Sequence, residues 1–195
     1  MTWPASTKNN MLDGQTFTHV SAHTAYPGST GANEVTGGSP PYARKAVTIN
    51  AAAGGVRALN SAVVMDIPAT TYVRFLGFWN SGTFVGYTAN GGAYPKNFSC
   101  IEASDTIVST NHGYSAEQKV VFIWGTAPSG LTAGVVYFVT NPTADTFTLA
   151  ATLGGTTLPI NGSASAGCWV CAITEQYFPS QGTHTLSTAS VVIPD

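Results

Sequence analysis

Turn residues recur along this chain about every eight to twelve positions, and almost nowhere do apolar residues recur at helical spacing. Between the turns lie short runs rich in Val, Ile, Thr, Tyr and Phe: "FTHVSAHT", "ARKAVTI", "TYVRFLGFW", "GTFVGYT", "DTIVST", "KVVFIW", "GVVYFVT", "DTFTLAAT", "CWVCAI" and "GTHTLST". Such residues fit a pleated, half-buried surface, and Gly, Pro, Asn and Asp supply the turns between them. The spacing predicts an all-β fold, sandwich or barrel. One helix is expected, over "STKNNMLDG", capped by Ser6 or Thr7 and ended by Gly14.

Two runs, "VVFIW" and "VVYFV", are apolar without alternation. A strand with one wet face alternates, so both faces of these strands are expected to be covered, by a second layer or by a partner subunit. Charge points the same way. Only 8% of the 195 residues are Asp, Glu, Lys or Arg, against about 25% in ordinary soluble domains. So neutral a surface fits a subunit covered by its neighbours.

The formal net charge of −2 and the scattered basic residues exclude a nucleic-acid footprint. No apolar run reaches the roughly 20 residues of a membrane-spanning helix. The start "MTWPASTKNN" has no basic stretch followed by an apolar one, so the expectation is synthesis in the cytoplasm without a signal peptide.

The segment "PGSTGANEVTGGSPPYAR", residues 27–44, is a Gly- and Pro-rich loop that ends in basic residues. A phosphate cradle needs a helix N-terminus behind such a loop, and here a β-type run follows. Pro40 and Pro41 stiffen the loop, and Gly37 and Gly38 permit positive φ. A preordered loop loses less entropy on docking, which suits a contact element. Its candidate interface residues are Pro27, Asn33, Glu34, Gly37, Gly38, Pro40, Pro41, Tyr42 and Arg44. Arg44 is expected to anchor on a carboxylate or carbonyl at an interface. Cutting the loop to a short turn is expected to leave the fold intact.

No metal, cofactor or catalytic constellation emerges. His19 and His23 sit four apart in a strand-type run, without an HExxH pattern. Cys168 and Cys171 have CxxC spacing with no second pair, so Cys100 and His112 would have to complete a zinc site. Free buried thiols are the simpler reading, followed by a disulfide formed after cell lysis. Asp66, Asp105 and Asp145 stand at strand edges or turns, where Asp is ordinary. A hydrolase assembled from distant residues stays open, because triads are recognised by geometry. So does glycan binding on an aromatic platform drawn from Trp79, Tyr87, Tyr94, Tyr26 and Tyr42.

The stretch "THVSAHTAYPGSTGANEVTGGSPPYARKAVTI" is similar to a motif of tailed-bacteriophage virion proteins of the tail-fibre-like or minor-tail-protein kind. In that family a short helix leads into a "THVSLHT"-type strand. A "PGxTGxNEVTGGSPxYAR" loop, an "FLGFW"-type strand and a closing "GTYTL"-type strand follow. The matching positions here are 18–24, 27–44, 75–79 and "QGTHTLS" at 181–187. Between the last two the match is interrupted by a segment that resembles a second phage β module, of the "HGLSxGDxVVF…GLxAGxxYYVxNxTxxTFxLSAT" kind. The resemblance implies a β-sandwich-type outer domain, 1–96 plus 173–195, with a small β domain, 97–172, inserted near its C-terminal end. It also implies that Cys100 lies on a strand neighbouring that of Cys168 and Cys171, at the base of the insertion. The function implied is that of a non-enzymatic structural virion protein. It would dock on capsid or tail, form homo-oligomers, and need no cofactor, nucleic acid or membrane. The alternative is a module at the tail tip that binds host surface glycan.

Overall fold

A computed structural model describes residues 4–91 and 95–192. The protein is all-β apart from one α-helix and a single 3-10 turn among the described residues. Helix α1 spans Ala5–Asp13, with Pro4 at its N-cap and no side-chain cap, so Ser6 and Thr7 lie inside its first turn. Gly14 ends it as expected, but in right-handed geometry at φ −67°, so no left-handed cap is used.

The chain divides into two compact units, 1–88 with 175–195, and 89–174. These breaks compare with boundaries after residues 96 and 172 read from the sequence. The first unit begins with β1 (His19–His23), β2 (Lys45–Ala46), β3 (Val56–Ala58), β4 (Val63–Ile67), β5 (Thr71–Val73), β6 (Phe75–Asn80) and β7 (Thr83–Ala89). The second carries β8 (Ser99–Ile101), β9 (Thr106–Val108), β10 (Lys119–Ile123), β11 (Val136–Thr140), β12 (Thr146–Ala150) and β13 (Trp169–Ala172). The chain then returns to the first unit with β14 (Gln176–Phe178), β15 (Gly182–Leu186) and β16 (Ser190–Val192).

In the first unit β2, β1, β6 and β7 form one antiparallel sheet in that order. The returning strands β14, β15 and β16 pair antiparallel with β5, β4 and β3, retracing them in reverse. The core gathers Val20, Ala22, Leu76 and Phe78 from the sheet with Met65, Ile67, Val73, Phe178 and Leu186 from the ladders. Residues from before and after the second unit thus complete one core. The β1–β6 register sets Ser21 opposite Gly77 and His23 opposite Phe75. Strand alternation therefore turns Ser21, His23, Phe75, Gly77 and Trp79 to the face away from that core. This second face is also closed: Ser21, His23 and Phe75 are fully buried, and Trp79 is nearly so.

The second unit is a six-stranded antiparallel sheet in the order β13, β10, β11, β12, β9, β8. Its core is built from Ile107, Tyr114, Val120, Phe122, Val139, Phe147, Leu149 and Val170. Strand β10 buries Val120, Val121, Phe122 and Ile123 completely, so the expectation of two covered faces holds there. Strand β11 instead alternates, with Tyr137 and Val139 buried and Val136, Phe138 and Thr140 half-buried.

The expected adjacency of the cysteine strands is corrected. Strands β8, with Cys100, and β13, with Cys171, are the two ends of the sheet order and are not hydrogen-bonded neighbours. A bridge from Lys96 to Val170 joins the segment before β8 to β13, and Cys100 and Cys168 line one cavity. All three cysteines are free thiols.

Candidate functional site: the 24–44 loop over the β1–β6 face

The loop that follows β1 doubles back over the second face of the β1–β6 pair and closes it. Glu34 forms an antiparallel bridge with His23, which anchors the ascending limb. The Ala32 amide donates to the Pro27 carbonyl (2.9 Å), and the buried Pro27 starts this turn. Asn33 adopts left-handed geometry at φ 59°, and its Nδ2 donates to the Tyr26 carbonyl at 2.8 Å. Asn tolerates this region because its short amide can bond locally. Gly31, at φ 75°, lies so near the indole that a Cβ there would stand 2.6 Å from a Trp79 ring carbon.

The descending limb is tied by side chains. The Arg44 Nε and Nη2 donate to the Glu34 carboxylate at 2.9 and 2.8 Å, a bidentate pair. The same guanidinium lies 3.2 Å from the Trp79 ring centroid. Glu34 bonded in this way raises the Arg44 pKa above its ordinary value. The Tyr42 hydroxyl accepts the Ala22 amide at 2.7 Å and donates to Glu34 at 3.4 Å. Its burial pushes the phenol well above its ordinary pKa. At the apex Gly37 and Gly38 take φ 86° and 92°, and the Ser39–Pro40 bond is cis. Residues 36–41, including Pro40 and Pro41, are exposed.

Two expectations for this loop are corrected. The carboxylate that anchors Arg44 belongs to the loop itself, Glu34, so the guanidinium is an internal clamp. The loop is also not detachable: Val35 is 3% exposed in the first unit's core, and Gly31 and Arg44 cover Trp79. Removing it would uncover an apolar face and leave buried polar groups without partners. The sequence reading also missed Gln181. Its Oε1 accepts the Ser39 amide at 2.9 Å and its Nε2 donates to the Pro40 carbonyl at 3.0 Å. Its one sequence signal was that it opens the "QGTHTLS" stretch.

Beneath the loop runs a buried polar chain. His23 Nδ1 lies 2.7 Å from the Ala32 carbonyl, which can only accept, so Nδ1 carries the proton. Nε2 then accepts from the Ser21 hydroxyl at 2.7 Å, and that hydroxyl accepts the Trp79 indole N–H at 2.7 Å. Burial lowers the His23 pKa and keeps the ring neutral. A Ser–His contact of this length has the form of a nucleophile with its base. Here both side chains are fully buried. A Cβ on Gly77 would lie 2.4 Å from His23 Nε2 and 2.5 Å from Ser21 Oγ, so the β6 backbone packs closely against the pair. The pair holds the loop to the sheet.

The remaining candidates make contacts within the fold. His19 Nδ1 meets Thr18 Oγ1 at 2.9 Å, and His112 accepts the Tyr114 amide and packs on Phe147. No group of three or more His, Cys, Asp or Glu is placed to hold a metal among the described residues. Asp66 pairs with Lys45 at 2.9 Å, Asp105 accepts the Ile160 amide and Asp145 the Asn111 amide. Of the expected aromatic platform, Trp79 is 6% exposed, and Tyr26 and Tyr87 hydrogen-bond each other against Phe75. Tyr42 is the half-buried clamp already described, and Tyr94 lies outside the described residues. Comparison with protein-family models, with curated proteins and with solved structures finds no match to this chain.

Proposed function

We propose that this chain is a non-enzymatic structural protein of a tailed-phage particle, which docks on the capsid or tail through the 24–44 loop and assembles with neighbouring copies. The observation that carries the reading is the construction of that loop. Its apex, 36–41, is exposed, yet Glu34, Tyr42, Arg44 and Gln181 fix it from beneath. Such an apex meets a partner with little ordering entropy left to lose. The charges at the foot of the apex pair within the chain, Arg44 with Glu34 and Lys45 with Asp66, so the surface around the apex is close to neutral. The loop's resemblance to virion proteins and the chain's 8% of charged residues support the same reading. The docking needs no cofactor, nucleic acid or membrane.

Gold-labelled antibody on purified particles, viewed by electron microscopy, tests it. Dense label over the head makes this a capsid decoration protein, and label confined to the tail makes it a tail component. Absence of label from intact particles overturns the proposal. Thr36→Glu and Pro41→Glu, both at exposed positions, then test the loop: folded variants that incorporate normally would remove it as the contact.

A further inference from the structure

The aromatic side chains that the first unit leaves open are not those of the expected platform. Tyr72 is 38% and Tyr177 46% exposed. They are direct cross-strand partners in the β5–β14 ladder, with ring centroids 4.6 Å apart and planes inclined by 36°. The opposite face of the same ladder buries Val73 and Phe178 in the core, so alternation drives both tyrosines outward. Two residues further along, just beyond the ladder, stand Arg74 and Glu175, and the Arg74 Nε donates to the Glu175 carboxylate. The Arg74 Nη1 donates to the Thr24 carbonyl at 2.8 Å, and its guanidinium lies 4.4 Å from the Tyr72 ring centroid. Tyr72 is therefore fixed by two neighbours. Tyr177 is the more open ring, and among the described residues Tyr72 is its only ring contact.

We infer that this face, Tyr72, Arg74, Glu175 and Tyr177, is a carbohydrate-binding platform that takes a neutral pyranose of a surface glycan. Tyr177 stacks on the C–H face of the sugar, because the negative face of an aromatic ring attracts weakly positive hydrogens. The Arg74–Glu175 pair stands beside the rings, with the Arg74 guanidinium 4.4 Å from the Tyr72 ring centroid. That is within reach of the hydroxyls of the same sugar or of the next one. The pair supplies donors and acceptors together, which matches hydroxyl groups, each of which both donates and accepts. Its charges cancel, which selects against a strongly anionic or cationic ligand. Stacked tyrosines have few rotamers left to lose, so binding costs little side-chain entropy. A protein partner would need about 800 Å² on this side. The positions that flank the rings on the two strands, Thr70 and Pro179, are exposed. This inference concerns a face separate from the 24–44 loop and does not rest on the docking proposal.

The test is the full chain on an array of bacterial surface oligosaccharides: O-chain, capsular and peptidoglycan fragments. Wild-type protein is expected to bind at least one of them. Tyr177→Ala should weaken that binding tenfold or more, Tyr177→Phe by less than threefold, and Arg74→Ala measurably. A matched melting curve for Tyr177→Phe keeps the comparison free of folding effects. Binding of none of these glycans by the wild type, or binding indifferent to Tyr177→Ala, overturns the inference. So does an effect of Tyr177→Ala on self-association in sedimentation with no effect on the array, which would make the face a contact between copies.

Discussion

The Arg44 guanidinium lies 3.2 Å above the centre of the Trp79 ring while two of its N–H groups grip the carboxylate of Glu34. One side chain thus joins both limbs of the loop to the sheet beneath. Arg suits this place because its planar fork can stack and bond bidentately at once, which the point charge of Lys cannot. Arg44→Ala should cost about 1–3 kcal/mol, with the half-buried Glu34 left with only the long bond from Tyr42. Arg44→Lys should recover only part of this. Urea midpoints for Arg44→Ala, Glu34→Gln and the double variant check it. If the two effects simply add, the residues do not act as one clamp.

The glycines at the loop–sheet contact make a sharper case. A Cβ on Gly31 meets Trp79 at 2.6 Å and Phe84 at 2.7 Å, at a backbone φ of 75°. Gly31→Ala should therefore destabilise by roughly 2–4 kcal/mol through strain and overpacking together. Gly28→Ala has a similar φ of 60° but open space around the new methyl. It should cost about 1 kcal/mol, the left-handed penalty alone. Equal losses in thermal melts of the two variants would show that the loop does not press on Trp79.

The strands were legible in the sequence for a physical reason: β-branched and aromatic runs cut by Gly, Pro and Asn have few other ways to fold. "VVFIW" read correctly as doubly covered because β10 lies inside the sheet with both faces packed. "VVYFV" misled because apolar content alone does not report burial: Phe138 stays half-buried, with the Lys119 ammonium 5.7 Å from its ring. Glycines 37 and 38 were legible as positive-φ positions, since a Gly-Gly pair beside prolines has few other uses. The Arg44 clamp was not legible, because nothing in the spacing of Glu34 and Arg44 says that the loop folds back on itself. The bond from Gln181 to Ser39 crosses 142 residues of sequence and was beyond any local pattern. The exposed tyrosines were missed for the converse reason. "TYV" and "QYF" look like any other strand, and only the pairing of Tyr72 with Tyr177 turns both rings outward on one ladder.

Stability should fall as the solution is acidified below neutrality. Burial lowers the pKa of His23 and of His184 from the ordinary value of 6.5. Around the His23 ring stand Ser21, the Ala32 carbonyl, Glu34 and Arg44, and desolvation outweighs the pull of Glu34. His184 has Gln176 Oε1 at 2.7 Å from its Nδ1. The unfolded chain takes up these protons below pH 6.5 and the folded chain resists them. Their contribution is thus complete above 6.5 and is lost as pH falls towards the lowered folded values. The slope is about 1.4 kcal/mol per pH unit for each histidine while that gap lasts. Urea midpoints between pH 7.5 and 5.5 should show it, and His184→Gln should remove one proton's share. A slope that His184→Gln leaves untouched would mean that the ring takes up its proton alike in the folded and unfolded chains.

The three thiols should differ in reactivity in a fixed order. Cys171 is fully buried on β13, and burial pushes its pKa up to about 12. Cys168, at 4% exposure, is pushed up to about 11. Cys100 is only half-buried, although its pKa too is raised by desolvation. The thiolate is the reactive form, so all three should react slowly at pH 8, with Cys100 first. Cys100 and Cys168 also line one cavity of about 290 Å³ with Phe98 and the 163–167 segment, which gives a reagent access to the first thiol and then to the second. Cys171 lies outside that cavity and should wait for unfolding. Titration with a chromogenic disulfide should release one equivalent, then a slower second, and the third only in denaturant. Cys100→Ser should abolish the first phase. A fast phase that survives Cys100→Ser and disappears in Cys171→Ser would reverse the order and place the β13 thiol at the surface.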